Sequence, residues 1–305
     1  MRQGMDIAAA AAEIKAGRLV AFPTETVYGL GADATSGVGV ARVYEAKARP
    51  QFNPLITHVA SADEAFNLGD FSQDAKALAH RFWPGPLTIV VPRAASCPVA
   101  MLASAGLSSI ALRLPAHEVA LELIRASGVP LVAPSANPSG RISPTRAEHV
   151  RGYFPQLTVL DGGACAVGVE STVVSFLDGT ARLLRPGGLS REALGIALGE
   201  SNSEILHAPG GLLSHYAPNA AVRLNATHVE PGEALLAFGP HVPAHSGPMR
   251  NLSPSGDLAE AAACLFENLH ALDAEKVARI AVMPIPLQGL GEAIHDRLTR
   301  AAAPR

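Results

Sequence analysis

The sequence predicts an α/β protein with a twisted mixed sheet, flanking helices and, after them, a second, smaller α/β domain. Its 305 residues suffice for two domains of about 150 residues each. Short apolar runs alternate with segments of helical spacing over the first two thirds of the chain. A stretch rich in proline, glycine and polar residues then precedes a shorter alternation of the same kind. We therefore expect a first domain at 1–198, a linker or lid at 199–218 and a C-terminal domain at 219–305.

The first predicted element is a helix between Asp6, a suitable N-cap, and Gly17, a stop signal. The elements that follow are a strand at Leu19–Phe22, a polar loop at Pro23–Gly29, a helix at Gly39–Ala48 and a strand at Leu55–Val59. This order of strand, loop, helix and strand is typical of the start of an α/β layer structure.

The rest of the first domain is predicted from apolar runs and helical spacing. Strands are expected at Leu87–Val91, Ile110–Leu114, Leu131–Ala133, Thr158–Leu160, Thr172–Phe176 and Arg182–Leu184. Helices are expected at Gln73–Phe82, Glu118–Ala126, Arg146–Arg151 and Ser190–Leu198. Thr145 and Glu148 form a capping-box pattern for the third of these helices. Because the last strands follow one another without helices between them, we expect a mixed rather than a purely parallel sheet.

The C-terminal part is predicted to be a small α/β (Rossmann-like) domain. Its strands are expected at Ala221–Leu224, Ala234–Phe238 and Arg279–Met283, and its helices at Leu258–Leu272 and Ala293–Ala301. No repeat at a fixed period is present in the sequence.

Charge and cysteine content exclude several classes of protein. The formal net charge is -3, and the first 200 residues carry equal numbers of basic and acidic side chains, without the basic excess typical of a nucleic-acid-binding protein. The 3 cysteines are widely spaced and form no C-x-x-C pair, so the sequence supports neither a disulfide framework nor a zinc site. The start of the chain is unlike a signal peptide, and no apolar span is long enough to cross a membrane, so we expect a cytoplasmic protein without membrane contact.

The segment Phe22–Gly31, F-P-T-E-T-V-Y-G-L-G, follows an apolar strand, where open α/β sheets bind ligands. Two threonine hydroxyls and the Glu25 carboxylate could bind an ammonium or amino-acid group there. Thr24 and Thr26 could equally cap a turn by accepting backbone N–H groups.

Two further clusters contain arginines that could bind anions. The segment K-A-R-P at 47–50 leads towards Asn53 and His58; its cations either hold phosphates or compensate the helix dipole at the surface. Arg113 stands in an otherwise apolar strand, where an unpaired charge is unfavourable, so it should meet an anionic ligand or a structural carboxylate.

Two small-residue segments complete the pattern. A-P-S-A-N-P-S-G at 133–140 allows a ligand to approach the backbone closely. Ser171 begins one late strand and Arg185 ends the next, so both could face one cleft, or the segment could be a glycine-rich hairpin edge. Neither a Walker A loop nor a G-x-G-x-x-G fingerprint occurs, which argues against an ordinary kinase or dehydrogenase.

In their order along the chain, these motifs closely resemble the YrdC family of L-threonylcarbamoyladenylate synthases. The motifs are F-P-T-E-T-V-Y-G-L-G, K-A-R-P with N-P-L-I-T-H-V, W-P-G-P-L-T, S-I-A-L-R-L-P, A-P-S-A-N-P-S-G, and E-S-T-V-V with L-R-P-G. The resemblance covers about residues 4–200 and implies a YrdC-like sheet. S-H-Y-A-P at 214–218, with the domain after it, resembles the longer, two-domain form.

The resemblance implies that L-threonine, bicarbonate and ATP are combined into threonylcarbamoyl-AMP and pyrophosphate, on the way to threonylcarbamoyladenosine at position 37 of tRNA. The threonine contacts implied by matching positions are Thr26, His58, Arg113 and Ser171. The nucleotide contacts implied in the same way are Arg49, Asn53, Ser109, Ala133, Ser135, Ser143, Arg185 and Tyr216. The residues expected to neutralise the phosphates, together with Mg²⁺ bound to ATP, are Lys47, Arg49 and Arg185. No general base and no metal ligand is assigned.

Tyr216 lies in the linker yet matches a nucleotide contact, so we expect the linker to fold over the site as a lid. The resemblance also suggests the downstream tRNA threonylcarbamoyl transferase as recipient of the product. Two alternatives stay open: a relative that forms a carbamoyl adenylate in hydrogenase maturation, and a double-stranded RNA-binding module. The balanced charge argues for at most a weak RNA contact.

Overall fold

The computed structural model describes residues 6–199 and 214–304. Within these residues a mixed nine-stranded sheet lies in the first part of the chain and a parallel four-stranded sheet in the second. The predicted fold class is therefore confirmed. Most of the predicted linker, residues 200–213, lies outside the described residues, and the domain boundaries at 198 and 218 stay predictions.

The large sheet places the ends of several strands at one edge. Its strands are β1 (Val20–Phe22), β2 (Gly29–Asp33), β3 (Ile56–His58), β4 (Leu87–Pro92), β5 (Ser109–Arg113), β6 (Leu131–Val132), β7 (Thr158–Val159), β8 (Thr172–Ser175) and β9 (Arg182–Arg185), in the order β7-β1-β2-β6-β3-β5-β4-β8-β9. β3 is parallel to β5, β4 is antiparallel to β5 and parallel to β8, and β9 is antiparallel to β8. The ends of β3, β5 and β9 therefore share an edge with the starts of β4 and β8.

Helices cover the two faces of this sheet unequally. They are α1 (Ile7–Lys15), α2 (Gly37–Lys47), α3 (Ala62–Leu68), α4 (Gln73–Phe82), α5 (Glu118–Ser127), α6 (Ala147–Tyr153) and α7 (Arg191–Leu194), with a 3₁₀ turn at Met101–Ser104. On one face, residues of α2, α4 and α6 belong to a large apolar cluster. On the other face, α1 and α5 pack over β1 and the start of β6. A separate small cluster of Ile56, Val90, Ala111 and Val173 marks the part of that face over β3, β5, β4 and β8.

The second part of the chain packs against the first through shared apolar contacts. It consists of β10 (Ala221–Arg223), β11 (Glu233–Ala237), β12 (Met249–Asn251) and β13 (Arg279–Val282), in the order β10-β13-β11-β12, with α8 (Leu258–Ala274) and α9 (Gly291–Ala302). One buried cluster unites residues of α8 and α9 with Val27, Ile142 and Val169 of the first part. The two parts therefore share an apolar core.

Strand β2 was not predicted, because its sequence G-L-G-A-D looks like a loop. A Cβ on Gly31 would lie only 2.7 Å from Cε1 of Phe22, so the Phe22 ring covers the strand at a position that accepts only glycine. The structure also adds α3, β12 and the 3₁₀ turn, for which no element was predicted.

Two helix predictions were wrong in part. The capping box does not form: Arg146 is the N-cap residue without a side-chain cap bond, and Thr145 Oγ1 has no hydrogen-bond partner among the described residues. The helix expected at Ser190–Leu198 is only α7, which Ser190 caps and which ends where Gly195 adopts a φ of 60°. In the described part of the chain, no helix has both the length and the apolar character to cross a membrane.

Candidate active site

A pocket lies over the part of the sheet that α1 and α5 leave uncovered. Ile56 and His58 point to the same side of β3, as alternate residues of a strand must, and both line the pocket. The complete lining is Val27, Arg49, Leu55, Ile56, His58, Arg113, Ala133, Pro134, Ser135, Glu170, Ser171, Arg185, His215 and Tyr216. Segments far apart in sequence, among them the described end of the linker, thus meet in one cavity.

The first wall is formed by neighbouring strand ends. Cα pairing sets His58 opposite Arg113. Arg113 is buried, and its Nη2 atom donates to Glu25 Oε1 at 2.7 Å, while Glu25 Oε2 accepts the Ala116 N–H at 3.1 Å. The structural carboxylate considered for Arg113 is therefore present and is Glu25. Nη1 of Arg113 makes no hydrogen bond to the described residues, so the guanidinium can still meet a second anion.

The second wall carries two further buried arginines. Arg49 donates from Nε to the Asn53 carbonyl at 3.1 Å and from Nη2 to the Pro54 carbonyl at 3.0 Å. Arg185 donates from Nη2 to the Ser171 carbonyl at 2.8 Å and to the Ser171 hydroxyl at 3.2 Å. Burial lowers the pKa of Arg49 to about 10, so it stays cationic at neutral pH. Arg49 is held by neutral oxygens in these contacts, which leaves its charge available to an anionic ligand.

Glu170 brings a negative charge to the same wall. Its Oε1 atom accepts the Ser143 hydroxyl at 2.6 Å, and its Oε2 atom accepts Nε of Arg297 at 2.8 Å. Burial acts to raise the pKa of this carboxyl, but Arg297, Arg185 and the Ser143 hydrogen bond outweigh it and lower the pKa to about 2. Glu170 is therefore ionised at neutral pH and paired with a cation of the second domain.

Two histidines present unpaired ring nitrogens. His58 and His215 are both buried in the pocket lining, and their Nδ1 atoms have no hydrogen-bond partner among the described residues. Desolvation by burial, aided by nearby cations, lowers the pKa of each to about 3, so both rings are neutral at pH 7. Buried polar atoms without a partner are unfavourable, and a bound ligand would satisfy them.

Tyr216 closes the pocket from the linker side. It is buried, and its φ of 62° lies in the left-handed region that residues other than glycine rarely adopt. Its ring stacks on Phe266 of α8 with the centroids 5.4 Å apart. The next residue, Ala217, donates to the Gly140 carbonyl at 2.8 Å. The described end of the linker is therefore fixed between the two parts of the chain.

The structure brings many of the predicted contact residues together. Those that line the pocket are Arg49, His58, Arg113, Ala133, Ser135, Ser171, Arg185 and Tyr216. Of the other predicted residues, Lys47 is buried, and its ammonium donates to the carbonyls of Ser135 and Asn137, so it braces a loop of the pocket. Ser143 bonds to Glu170 behind the lining.

Three more predicted residues lie outside the lining. Thr26 is buried, and its hydroxyl forms a hydrogen bond with the Thr24 hydroxyl at 2.8 Å. The Thr24 hydroxyl also accepts the Val27 N–H, so the capped turn considered from the sequence is present. Asn53 reaches the site through its carbonyl, which Arg49 contacts. Ser109 is the first residue of β5, at the opposite end from Arg113.

Sequence reasoning assigned no role to Glu170, His215 or Arg297. Glu170 and His215 adjoin predicted residues within the E-S-T-V-V and S-H-Y-A-P motifs, and that adjacency is the signal that could have found them. Arg297 had no local signal, because it is one of two arginines in an amphipathic helix.

The pocket does not contain a ready-made metal site. No group of three or more histidine, cysteine, aspartate or glutamate side chains that could hold a metal ion occurs within 6–199 and 214–304. The nearby carboxylates of Glu25 and Glu170 already have both oxygens engaged. These residues fit a metal that arrives bound to a ligand's phosphates better than one held by the protein alone.

Two family matches together span nearly the whole chain. Residues 12–187 match the Sua5/YciO/YrdC family, described as "Telomere recombination". Residues 183–303 match a family described as "Threonylcarbamoyl-AMP synthase, C-terminal domain".

Individual proteins match over the same extent. The threonylcarbamoyl-AMP synthase of Pyrococcus abyssi is 39% identical, over 97% of this chain and 94% of its own. That of Bacillus subtilis is 38% identical, over 98% of this chain and 93% of its own. The crystal structure of P. abyssi Sua5 complexed with L-threonine superposes with a TM-score of 0.88 at 37% identity, over 97% of this chain and 94% of that one.

Proposed function

Because this chain belongs to the Sua5/YciO/YrdC family and carries the C-terminal domain of threonylcarbamoyl-AMP synthases, we propose that the pocket makes threonylcarbamoyl-AMP from ATP and L-threonine. The observation that carries this proposal is the convergence of three buried arginines and two unpaired histidine nitrogens in one cavity. The match to synthases over both domains favours this activity over a carbamoyl-adenylate-forming relative and over an RNA-binding module.

We assign the wall of His58, Arg113 and Ser171 to threonine. Arg113 binds the threonine carboxylate with the part of its guanidinium that Glu25 does not engage. The neutral His58 ring can hydrogen-bond the substrate without adding charge. Thr26 takes part through the turn that it forms with Thr24, which shapes this wall.

We assign the wall of Arg49, Ser135, Arg185 and Tyr216 to ATP. The two arginines place positive charge next to the phosphates, where it is most effective because both side chains are buried. Ala133 and Pro134 leave the backbone open to close approach of a ligand. Lys47 supports this wall by holding the loop carbonyls of Ser135 and Asn137.

The reaction that we propose has two steps. The amine of threonine adds to bicarbonate and gives a carbamate with loss of water. A carbamate oxygen then attacks the α-phosphorus of ATP, a new P–O bond forms, and pyrophosphate leaves. Because the attacking and leaving groups are both anionic, positioning and charge neutralisation provide most of the catalysis. Mg²⁺ enters with ATP as part of the substrate and neutralises phosphate charge there.

The linker serves as a lid in this proposal. His215 and Tyr216 belong to the pocket lining although they follow the first domain, and Tyr216 packs on α8. A closed lid keeps water from the labile carbamate. The product then passes to the downstream tRNA threonylcarbamoyl transferase in the cytoplasm.

The test is pyrophosphate release by the purified chain with ATP and Mg²⁺. Release should require both L-threonine and bicarbonate, because neither alone provides the attacking carbamate. Serine in place of threonine, and bicarbonate-depleted buffer, are the controls. Release that proceeds equally well with serine, or without bicarbonate, would contradict the assignment.

A further inference from the structure

Arg297 is a buried arginine of the second domain that reaches the walls of the pocket. It lies on α9, is 0% exposed, and donates from Nε to Glu170 Oε2 at 2.8 Å. Its Nη1 atom donates to the Pro186 carbonyl at 2.8 Å and to Asp296 at 2.7 Å. The guanidinium carbon lies 5.4 Å from the centre of the Tyr216 ring. One side chain therefore contacts three separate segments around the pocket.

Each of these three segments carries a side chain that lines the pocket. Glu170 and Tyr216 line it themselves, and Pro186 directly follows Arg185. The backbone ties two of the segments further, since the Gly188 N–H donates to the Glu170 carbonyl at 2.9 Å. The position of the Arg297 guanidinium is therefore linked to the positions of Glu170, Arg185 and Tyr216 at once.

Arg297 also neutralises the negative charge of the pocket wall. Glu170 is buried there, and the Ser143 hydroxyl that bonds its other oxygen is uncharged. Without Arg297, the carboxylate would lack its paired cation and would repel a triphosphate in the same cavity. With Arg297 in place, Arg49 and Arg185 remain the dominant charges on that wall.

We propose that Arg297 is a positioning residue for ATP, acting across the domain boundary through Glu170, the Arg185–Pro186 segment and Tyr216. Arg297 itself is not part of the pocket lining. The proposal rests on the proposed function, because it takes the wall that contains these residues to be the ATP side.

Two of the three threonine-side residues, Arg113 and His58, are independent of this arrangement, whereas Ser171 follows Glu170 and accepts a hydrogen bond from Arg185. The hydrogen bonds of Arg113 go to Glu25 and Gly85, which both belong to the first domain. His58 lies on β3, also in the first domain. Loss of Arg297 should therefore weaken ATP binding much more than it raises the threonine requirement.

The experiment compares the full-length wild-type chain with Arg297→Lys and Arg297→Met. ATP binding is measured directly by calorimetry with Mg²⁺ and without threonine, and KM for each substrate is measured by pyrophosphate release. Lysine keeps the charge but cannot bond to Glu170 and Pro186 in the paired geometry of a guanidinium. We expect Kd for ATP to rise at least tenfold in Arg297→Met and by less in Arg297→Lys, with a clearly smaller rise in KM for threonine.

Arg146→Met is the matched control, because Arg146 also forms an ion pair across the two domains, with Glu267 at 2.9 Å, but lies outside the pocket. It should change neither constant more than twofold. If Arg297→Met does not fold, Arg297→Lys and the charge-neutral pair Arg297→Met with Glu170→Gln replace it, and the pair should still bind ATP less well than the wild type.

Three outcomes would overturn the proposal: unchanged ATP affinity in the folded Arg297 variants, equal losses for ATP and threonine, or an equal loss in Arg146→Met. The proposed function fails separately. If the wild-type chain binds ATP in an Arg297-dependent way but releases no pyrophosphate, Arg297 still positions the nucleotide while the reaction is wrong. A wild-type chain that binds no ATP would contradict both.

Discussion

Arg113 shows how one buried residue can serve the fold and a substrate together. Its guanidinium and the Glu25 carboxylate are 4% and 9% exposed, so neither is tolerated in the interior without the other. The ion pair fixes the orientation of the Arg113 guanidinium. It thereby also fixes the direction of the N–H groups that Glu25 does not engage. A substrate carboxylate would then meet a cation whose position is set before binding.

At this scale we predict that Arg113→Ala raises KM for threonine by about 10- to 100-fold, the loss expected for a charged hydrogen bond worth about 1.5–3 kcal/mol. Arg49→Ala should instead raise KM mainly for ATP, because Arg49 lies on the other wall. Initial rates of pyrophosphate release, with each substrate varied in turn, measure both effects. Equal changes in the two KM values for either variant would count against the division of the walls.

Arg113→Ala also leaves Glu25 buried without its partner. The expected loss of stability is about 3–5 kcal/mol, the usual cost of breaking a buried ion pair from one side. Arg113→Met combined with Glu25→Gln removes both charges, so it should recover stability without recovering threonine binding. Thermal unfolding of the three proteins separates the structural role of Arg113 from its role towards substrate.

Gly168 is the point where the loop before Glu170 meets helix α8. Its φ is +75°, and a Cβ there would lie 2.4 Å from both Cα and the carbonyl oxygen of Ala263. Only glycine allows this approach, because both the backbone conformation and the space exclude a side chain. The loop that positions Glu170 is thus held directly against the second domain.

At the level of elements, we predict that Gly168→Ala pushes α8 away from this loop, lowers stability and weakens ATP binding. Gly163→Ala is the matched control, since Gly163 has a similar φ of +83° but no atom within 4 Å of its ideal Cβ. The control should lose about 1–2 kcal/mol from the left-handed backbone alone, with ATP affinity intact. Urea unfolding and ATP calorimetry on both variants would show whether the contact matters; equal losses would mean that it does not.

The whole molecule contains buried histidines that should make its stability depend on pH. His58 and His215 are buried, and burial lowers the pKa of each to about 3, compared with 6.5 for a free histidine side chain. Between these values the unfolded chain binds protons that the folded chain does not. The contribution of these histidines to the free energy of unfolding is therefore fully present above about pH 6.5 and is lost as the pH drops towards 3.

We predict a loss of about 1.4 kcal/mol per pH unit for each of these two histidines in that range. Glu170 acts in the same direction below its ordinary pKa of 4.5, because its folded pKa is about 2. Thermal midpoints between pH 7.5 and 4.5 measure the slope. His58→Gln should flatten it, whereas His245→Gln, at an exposed position, should not; a wild-type midpoint constant down to pH 5 would contradict the prediction.

The alternation of apolar runs was enough to predict most strands and helices, since burial periodicity is a local property of the sequence. It did not predict β2, because Gly31 of that strand is required by the Phe22 ring, a contact that no local pattern reveals. It extended the helix at Ser190–Leu198 too far, because Gly195 and not the apolar periodicity decides where α7 ends.

The motif order by itself determined the family, the fold class and the small set of segments from which the pocket is built. Residue types in those segments restrict the chemistry, since arginines, histidines and hydroxyls next to small residues suit an anionic substrate. That information can be read from the sequence, because it depends only on the residues within each segment. Tertiary structure alone decided which of these side chains face the cavity: it paired Arg113 with Glu25, turned Lys47 and Thr26 to support the walls, and brought Arg297 to Glu170. The reason is physical: buried charges must find partners, and those partners lie more than 80 residues away in sequence for Arg113 and more than 120 for Arg297.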